Sequence, residues 1–133
     1  MYLFDTDTIS NLLSKRPSAK LKRRLKKVPP EHQFTSTITV AELYYGVYKS
    51  PRPQEFKRRL EREVLPRVRV IPFDRRAAEV YGRVRAELER RGRPLADPDL
   101  MIASIALSRG LTVITGNVQH FARVPGLTVE NWL

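Results

Sequence analysis

Cysteine is absent from the 133 residues, which removes disulfides, thiolate metal ligands and cysteine nucleophiles together. Such a chain accords with a reducing cytoplasm, its expected location. No apolar run approaches the ~18 residues of a membrane span. The opening residues carry no basic stretch followed by an apolar signal segment, so neither export nor a membrane partner is expected. Histidine occurs twice, at His32 and His120. Neither has a clear serine partner, and both read as surface or satisfied polar residues. Acids are few as well: 14 Asp and Glu stand against 25 Lys and Arg, a formal net charge of +11. An excess that large points to a polyanionic partner, nucleic acid first. The plainer explanation is a solvated, Arg-rich surface of the kind heat-adapted proteins carry. There is no internal repeat, low-complexity tract or linker. A chain of this length sustains one real core, so residues 1–133 read as a single domain.

What the chain does have is alternation. Tyr2-Leu3-Phe4 is a short apolar run that stops at Asp5, a buried strand. Thr6, Asp7 or Thr8 then caps a helix through Ile9, Leu12 and Leu13. Ser18 to Val28 is a basic helix with a thin apolar stripe, ended by Pro29 and Pro30. Gln33 to Thr37 is a second strand. Thr39 to Lys49 is a helix whose Val40, Leu43, Tyr44, Val47 and Tyr48 share one face. Gly46 lies within it, and since a mid-helix glycine costs about 1 kcal/mol against alanine, close packing is expected there. Gln54 to Leu65 is a basic helix with Phe56, Leu60 and Val64 inward, and Val68 to Phe73 a third strand. Asp74 caps a helix to Arg91 with Ala78, Tyr81, Val84 and Leu88 on one side. Asp97 and Pro98 read as the N-cap and first position of a helix running to Arg109. Leu111 to Ile114 is a strand, Thr115 to Asn117 a turn, and a short helix and Leu127 to Val129 complete the order. Strands alternating with helices throughout predict an α/β sandwich with a parallel-centred sheet and helices on both faces.

Four polar residues stand out against this frame. Asp5 ends the first strand, where open α/β sheets form ligand sites. Glu42 lies in an apolar and aromatic helix beside its buried stripe, where exposed charge is rare. Asp99 has Ile102, Ala103 and Ala106 at helical spacing, which turns it toward the core side. Asn117 follows a buried strand. All four can share one edge of the sheet. Three acids gathered there without a cation repel and raise one another's pKa; a divalent ion removes the conflict, and all-oxygen ligands select Mg²⁺ or Mn²⁺. Such a site suits phosphodiester hydrolysis. The plain alternative for Asp5 is that it only caps a helix, and the same holds for Asp7, Asp74 and Asp97. Thr39 and Thr115 either orient carboxylates or bond backbone.

Taken with the surrounding stretches, "YLFDTDTIS", "TSTITVAELYYGV" and "GRPLADPDLMIASIALSRGLTVITGNVQHFARVPGLTVENW", these residues form a pattern. The chain resembles the PIN-domain ribonucleases, and within them the VapC-type toxins of toxin–antitoxin pairs, over nearly its whole length. The resemblance implies a PIN-like three-layer α/β/α sandwich with a mainly parallel central sheet. It implies a Mg²⁺- or Mn²⁺-dependent endonuclease acting on tRNA or another structured RNA. By position, Asp5, Glu42 and Asp99 match the family's metal-binding acids. Asn117 matches a fourth catalytic position that is acidic in some members, so one negative charge is missing and a second metal is left open. Asp7 stands where many relatives have asparagine, and either supports the metal or restores that charge. The family further implies a homodimer and a VapB-type antitoxin whose C-terminal segment blocks the acidic cleft. Lys20, Lys22, Arg23 and Lys26, with Lys57 and Arg58, are then candidate RNA contacts, giving affinity without sequence choice.

Three other readings remain open at this level. Asp5 to Thr8 also resembles the start of haloacid-dehalogenase-type phosphatases, but their later lysine and paired acids are missing: after Thr115 the chain holds one acid, Glu130, and no lysine. A basic PIN-like module could bind RNA or protein without cutting, although a pure binder has no use for clustered acids. Cleavage of DNA would use the same metal chemistry.

Overall fold

A computed structural model describes residues 1–133. Five short strands form one sheet: β1 (Tyr2–Phe4), β2 (Gln33–Ser36), β3 (Arg69–Ile71), β4 (Thr112–Ile114) and β5 (Val129–Glu130). Their spatial order is β3-β2-β1-β4-β5 and every neighbouring pair is parallel, so the sheet is parallel throughout rather than mainly so. The chain runs outward from β1 to β3, then returns to place β4 on the other side of β1. That reversal makes the β1–β4 seam the switch point of the sheet, where a crevice opens beyond the strand carboxyl ends.

The alternation of strand side chains sends neighbouring residues to opposite faces. Leu3 and Val113 enter the core beneath α5 (Arg75–Arg90) and α6 (Asp97–Arg109). Phe4 and Ile114 enter the other, beneath α1 (Thr6–Leu13), α2 (Ala19–Lys26), α3 (Thr37–Lys49) and α4 (Pro53–Arg59). A last short helix, α7 (Val118–Phe121), follows β4 and packs through Phe121 into the first core. This is the three-layer α/β/α sandwich that the alternation predicts.

Side-chain caps set several helix starts. The Ser18 hydroxyl accepts from the Leu21 N–H, Ser36 from Thr39 and Asp74 from Ala77, each satisfying a backbone donor that a helix leaves free. The Ser36 cap starts α3 at Thr37, two residues earlier than the apolar pattern suggests. At the end of α6, Gly110 takes the left-handed conformation (φ 67°) that favours glycine in this position.

Several expectations need correction. The first helix begins at Thr6, so none of Thr6, Asp7 and Thr8 caps it; Asp5 holds that position and makes no side-chain cap bond. Asp97 is the first residue of α6 behind Ala96, and it accepts instead from the Tyr81 hydroxyl at 2.7 Å. Tyr48 is exposed and Gly46 faces open space, with nothing near an added Cβ. The buried stripe of α3 is therefore Thr39, Leu43 and Val47. On α5 Ala77 and Val80, not Ala78, join Val84 and Leu88. The helix beginning at Pro53 loosens into a π turn over Leu60–Val64, with the Leu65 N–H bonded to the Leu60 carbonyl, and then tightens to a 3₁₀ turn before β3. Leu60 and Val64 are both buried, as the apolar spacing predicts. β3 itself is shorter than Val68 to Phe73.

Trp132 closes the α1–α4 side. It is buried against the edges of Tyr2 and Phe4, its Nε1–H donates to Glu130, and the Arg24 guanidinium lies 4.5 Å over its ring. Trp132→Ala is expected to cost ~3–5 kcal/mol, the usual range for removing a buried aromatic. Urea unfolding followed by circular dichroism checks this.

Candidate functional site

The parallel register sets Phe4 beside Ile114, so the next residues, Asp5 and Thr115, leave the seam side by side. The Asp5 N–H donates to the Ile114 carbonyl at 2.9 Å, extending the ladder by one bond. Asp5 is 3% exposed and Thr115 fully buried. The Thr115 hydroxyl accepts from the Asn117 N–H at 2.9 Å and donates to Asp5 Oδ2 at 2.8 Å. With its acceptor side occupied by Asn117, its one hydrogen is directed at the carboxylate. Thr115 therefore orients a carboxylate rather than bonding backbone alone.

Across the crevice, the cap at Ser36 starts α3 so that Thr39 and Glu42 face α1. Thr6 Oγ1 lies 2.5 Å from Glu42 Oε1 and 3.2 Å from the Thr39 hydroxyl. The short distance assigns the Thr6 hydrogen to Glu42, and Thr39 buttresses Thr6. Asp99 enters from the first turn of α6, whose N-terminal dipole favours an anion. Its Oδ2 lies 3.6 Å from His120 Nδ1 on α7. Asp7 Oδ2 accepts from the Gly116 N–H at 2.8 Å.

The electrostatics follow from this packing. Burial is the main force on Asp5 and pushes its carboxyl up to about 7; the Thr115 bond and the Thr6 backbone bond oppose the rise, and the charges of Asp7 and Asp99 add to it. Asp99 is also raised, first by burial and then by Asp7, with His120 pulling it down. Asp5, Asp7 and Asp99 thus form one coupled acidic group with no lysine or arginine among them. No three acidic or histidine side chains stand close enough to hold one ion as they lie. The donor chemistry nevertheless suits a hard divalent cation: carboxylate oxygens only, at least one of them buried and short of positive charge. Asp5, Glu42 and Asp99 are the residues that would hold it, with Asp7 beside them.

The structure thus brings Asp5, Asp7, Asp99 and Thr115 together and links Glu42 and Thr39 to them through Thr6. Asn117 reaches the group through its backbone; its side chain makes no protein hydrogen bond. The basic candidates lie elsewhere. Lys22 and Lys26 rim a groove of about 780 Å³, floored by Phe4, Leu12, Leu25, Val64 and Val68. Gln33 at the start of β2 and Phe4 at the end of β1 both line it, so it lies along the sheet face covered by α1 to α4. Lys20 reaches the Asn131 carbonyl at 3.4 Å, Arg23 is exposed on α2, and Lys57 and Arg58 lie on α4, with Arg58 beside the start of that helix at Pro51 to Glu55. Three participants are not evident from the sequence. Thr6 reads there only as a cap and Gly116 only as part of a turn. His120 reads as a surface residue, although it follows Asn117 by three residues, one helical turn.

Comparison with known proteins bears on the whole chain. The family model described as PIN domain matches residues 2–127. Ribonuclease VapC2 of Rickettsia felis is 33% identical over 132 residues, 99% of this chain and 98% of that one. The tRNA(fMet)-specific endonuclease VapC of Salmonella typhimurium is 36% identical over 131 residues, covering 98% and 97%. Among solved structures, DNA-bound VapBC from Salmonella typhimurium superposes with a TM-score of 0.92 at 36% identity, covering 99% of this chain and 98% of that one.

Asp5→Asn isolates the electrostatic cost. A carboxyl whose folded pKa is raised binds a proton that the unfolded chain has already lost, so stability falls as pH rises between the unfolded value near 4 and about 7. Asparagine still accepts from Thr115 and carries no charge. Asp5→Asn is expected to melt above the wild type at pH 8, with the gap closing toward pH 5; thermal melts across that range check it.

Proposed function

The chain belongs to the PIN domain family, and from that premise we propose that it is a divalent-metal-dependent endoribonuclease acting as the toxin of a VapBC-type pair. The observation that carries this reading is the acidic group gathered around buried Asp5 at the switch point of an otherwise strongly basic protein. A carboxylate held out of water beside two others is costly, and its retention is explained by a cation the group serves to hold. Mg²⁺ or Mn²⁺ bound there polarises a phosphodiester and lowers the pKa of water.

The chain's own residues do the rest. Thr115 holds Asp5 in one orientation, and Thr6, backed by Thr39, holds Glu42. His120 lies against Asp99 on the open side of the crevice. Asp5, pushed up to about 7 by burial, would have to be ionised to hold a cation, so cation binding is expected to weaken as pH falls below that value. The net charge of +11 draws the polyanion to the surface by phosphate contacts that do not read sequence. The relative from Salmonella typhimurium is named a tRNA(fMet)-specific endonuclease, which supports a tRNA or another structured RNA as the substrate.

The partners follow from the same reading. The groove between α2 and the turns after α4 has an apolar floor and Lys22, Lys26 and Arg67 on its rim, a seat for an amphipathic acidic segment of a VapB-type antitoxin. VapBC complexes among the solved relatives support a VapB-type antitoxin as the partner. Tyr45 and Tyr48 on α3, about two-thirds exposed, offer apolar area for a homodimer. A non-catalytic RNA- or protein-binding module is the competing reading, and it leaves the mutual repulsion of Asp5, Asp7 and Asp99 without a purpose.

Purified protein freed of antitoxin, incubated with initiator and elongator tRNAs, other structured RNAs and DNA, is expected to cut RNA with Mg²⁺ or Mn²⁺. Cutting should stop with EDTA and in Asp5→Asn. A folded protein that cuts nothing under any of these conditions favours the binding module. Mg²⁺ is also expected to raise the melting temperature of the wild type more than that of Asp99→Asn, because a ligand that binds only the folded state stabilises it. Equal shifts would remove Asp99 from the cation site.

A further inference from the structure

The role of Asp7 is not explained by the first helix. It lies in the first turn of α1 yet bonds none of that helix's free N–H groups. Its Oδ2 reaches across the seam to the Gly116 N–H at 2.8 Å. Its Oδ1 is 3.3 Å from the Thr8 hydroxyl and 3.4 Å from that of Thr115. Both hydrogens have closer acceptors, the Ile114 carbonyl at 3.0 Å and Asp5 Oδ2 at 2.8 Å. One oxygen of Asp7 therefore has no short donor, on the side shared with Asp5. The same Thr115 oxygen stands between the two carboxylates. Asp7 is also the acid whose charge bears on both Asp5 and Asp99, whereas Glu42 bears on neither. A carboxylate kept only as a bracket for the β4–α7 turn would serve as well without charge.

Resting on the nuclease reading, we infer that Asp7 is a cation-binding carboxylate of this site. It supplies, from α1, the fourth acidic group that Asn117 does not. The Gly116 N–H fixes one oxygen and leaves the other for the ion. Asp7 joins Asp5 and Asp99 from the seam side, while Glu42, held by Thr6, approaches from α3.

Asp7→Asn separates charge from bracing, because its amide oxygen still accepts from Gly116. Mn²⁺ titration by calorimetry on the purified, antitoxin-free chain is the measurement, with melting of the metal-free protein beside it. Asp7→Asn is expected to melt no lower than the wild type without metal and to bind Mn²⁺ at least ~10-fold more weakly, the scale of losing a supporting group at a metal site. Unchanged Mn²⁺ affinity in Asp7→Asn overturns this inference and leaves the nuclease reading standing. A wild type that binds no Mn²⁺ overturns both. If Asp7→Asn does not fold, Asp7→Ser takes its place under the same criteria.

Discussion

A carboxylate deprived of water at the seam of two parallel strands is the constraint around which this molecule is arranged. Asp5 leaves β1 where Thr115 leaves β4, and the ladder bond from its own N–H prevents it from retreating toward solvent. Burial alone makes its ionised form unfavourable, and Asp7 and Asp99 make it worse. The group persists because rigid elements impose it: two cores anchored by Leu3, Phe4, Val113 and Ile114 fix the seam, and the starts of α1, α3 and α6 converge on its end. The fold stores electrostatic strain at one place, and a bound cation would relieve it.

The threonines give that arrangement its direction. A hydroxyl has one hydrogen, so Thr115 and Thr6 each commit to a single carboxylate: Thr115 to Asp5, Thr6 to Glu42. The acids are oriented by neutral donors, not by lysine or arginine. This matters in a chain with so many cations. A guanidinium in the crevice would neutralise the acids and occupy the place of a metal, and the abundant arginines are kept on outer faces, several paired with glutamates on their own helices, as Arg90 and Arg91 are with Glu87.

The layered fold was legible because strand alternation and helix periodicity are local signals, and the acids at Asp5, Glu42 and Asp99 were legible because each breaks such a signal. What the chain concealed was local competition. Asp97 before Pro98 has the form of a cap, yet a hydroxyl sixteen residues away on Tyr81 claims its side chain. Tyr48 fits the spacing of a buried face, but the actual stripe of α3 is narrower and leaves it outside. The π turn at Leu60 shifts the phase of the helix, which no periodicity count anticipates. His120 was invisible as a participant because its partner, Asp99, arrives from another helix.

The bond between Thr115 and Asp5 joins residues 110 apart in sequence, and most of the chain lies between them. Contacts of such separation form late and slowly, since a long loop must close first. During synthesis the ribosome releases Asp5, Asp7 and Glu42 long before Thr115 exists to orient them. A growing chain therefore carries acids but no assembled crevice, and a hydrolase that would endanger the RNA around it has no working centre until nearly all of its residues have been made.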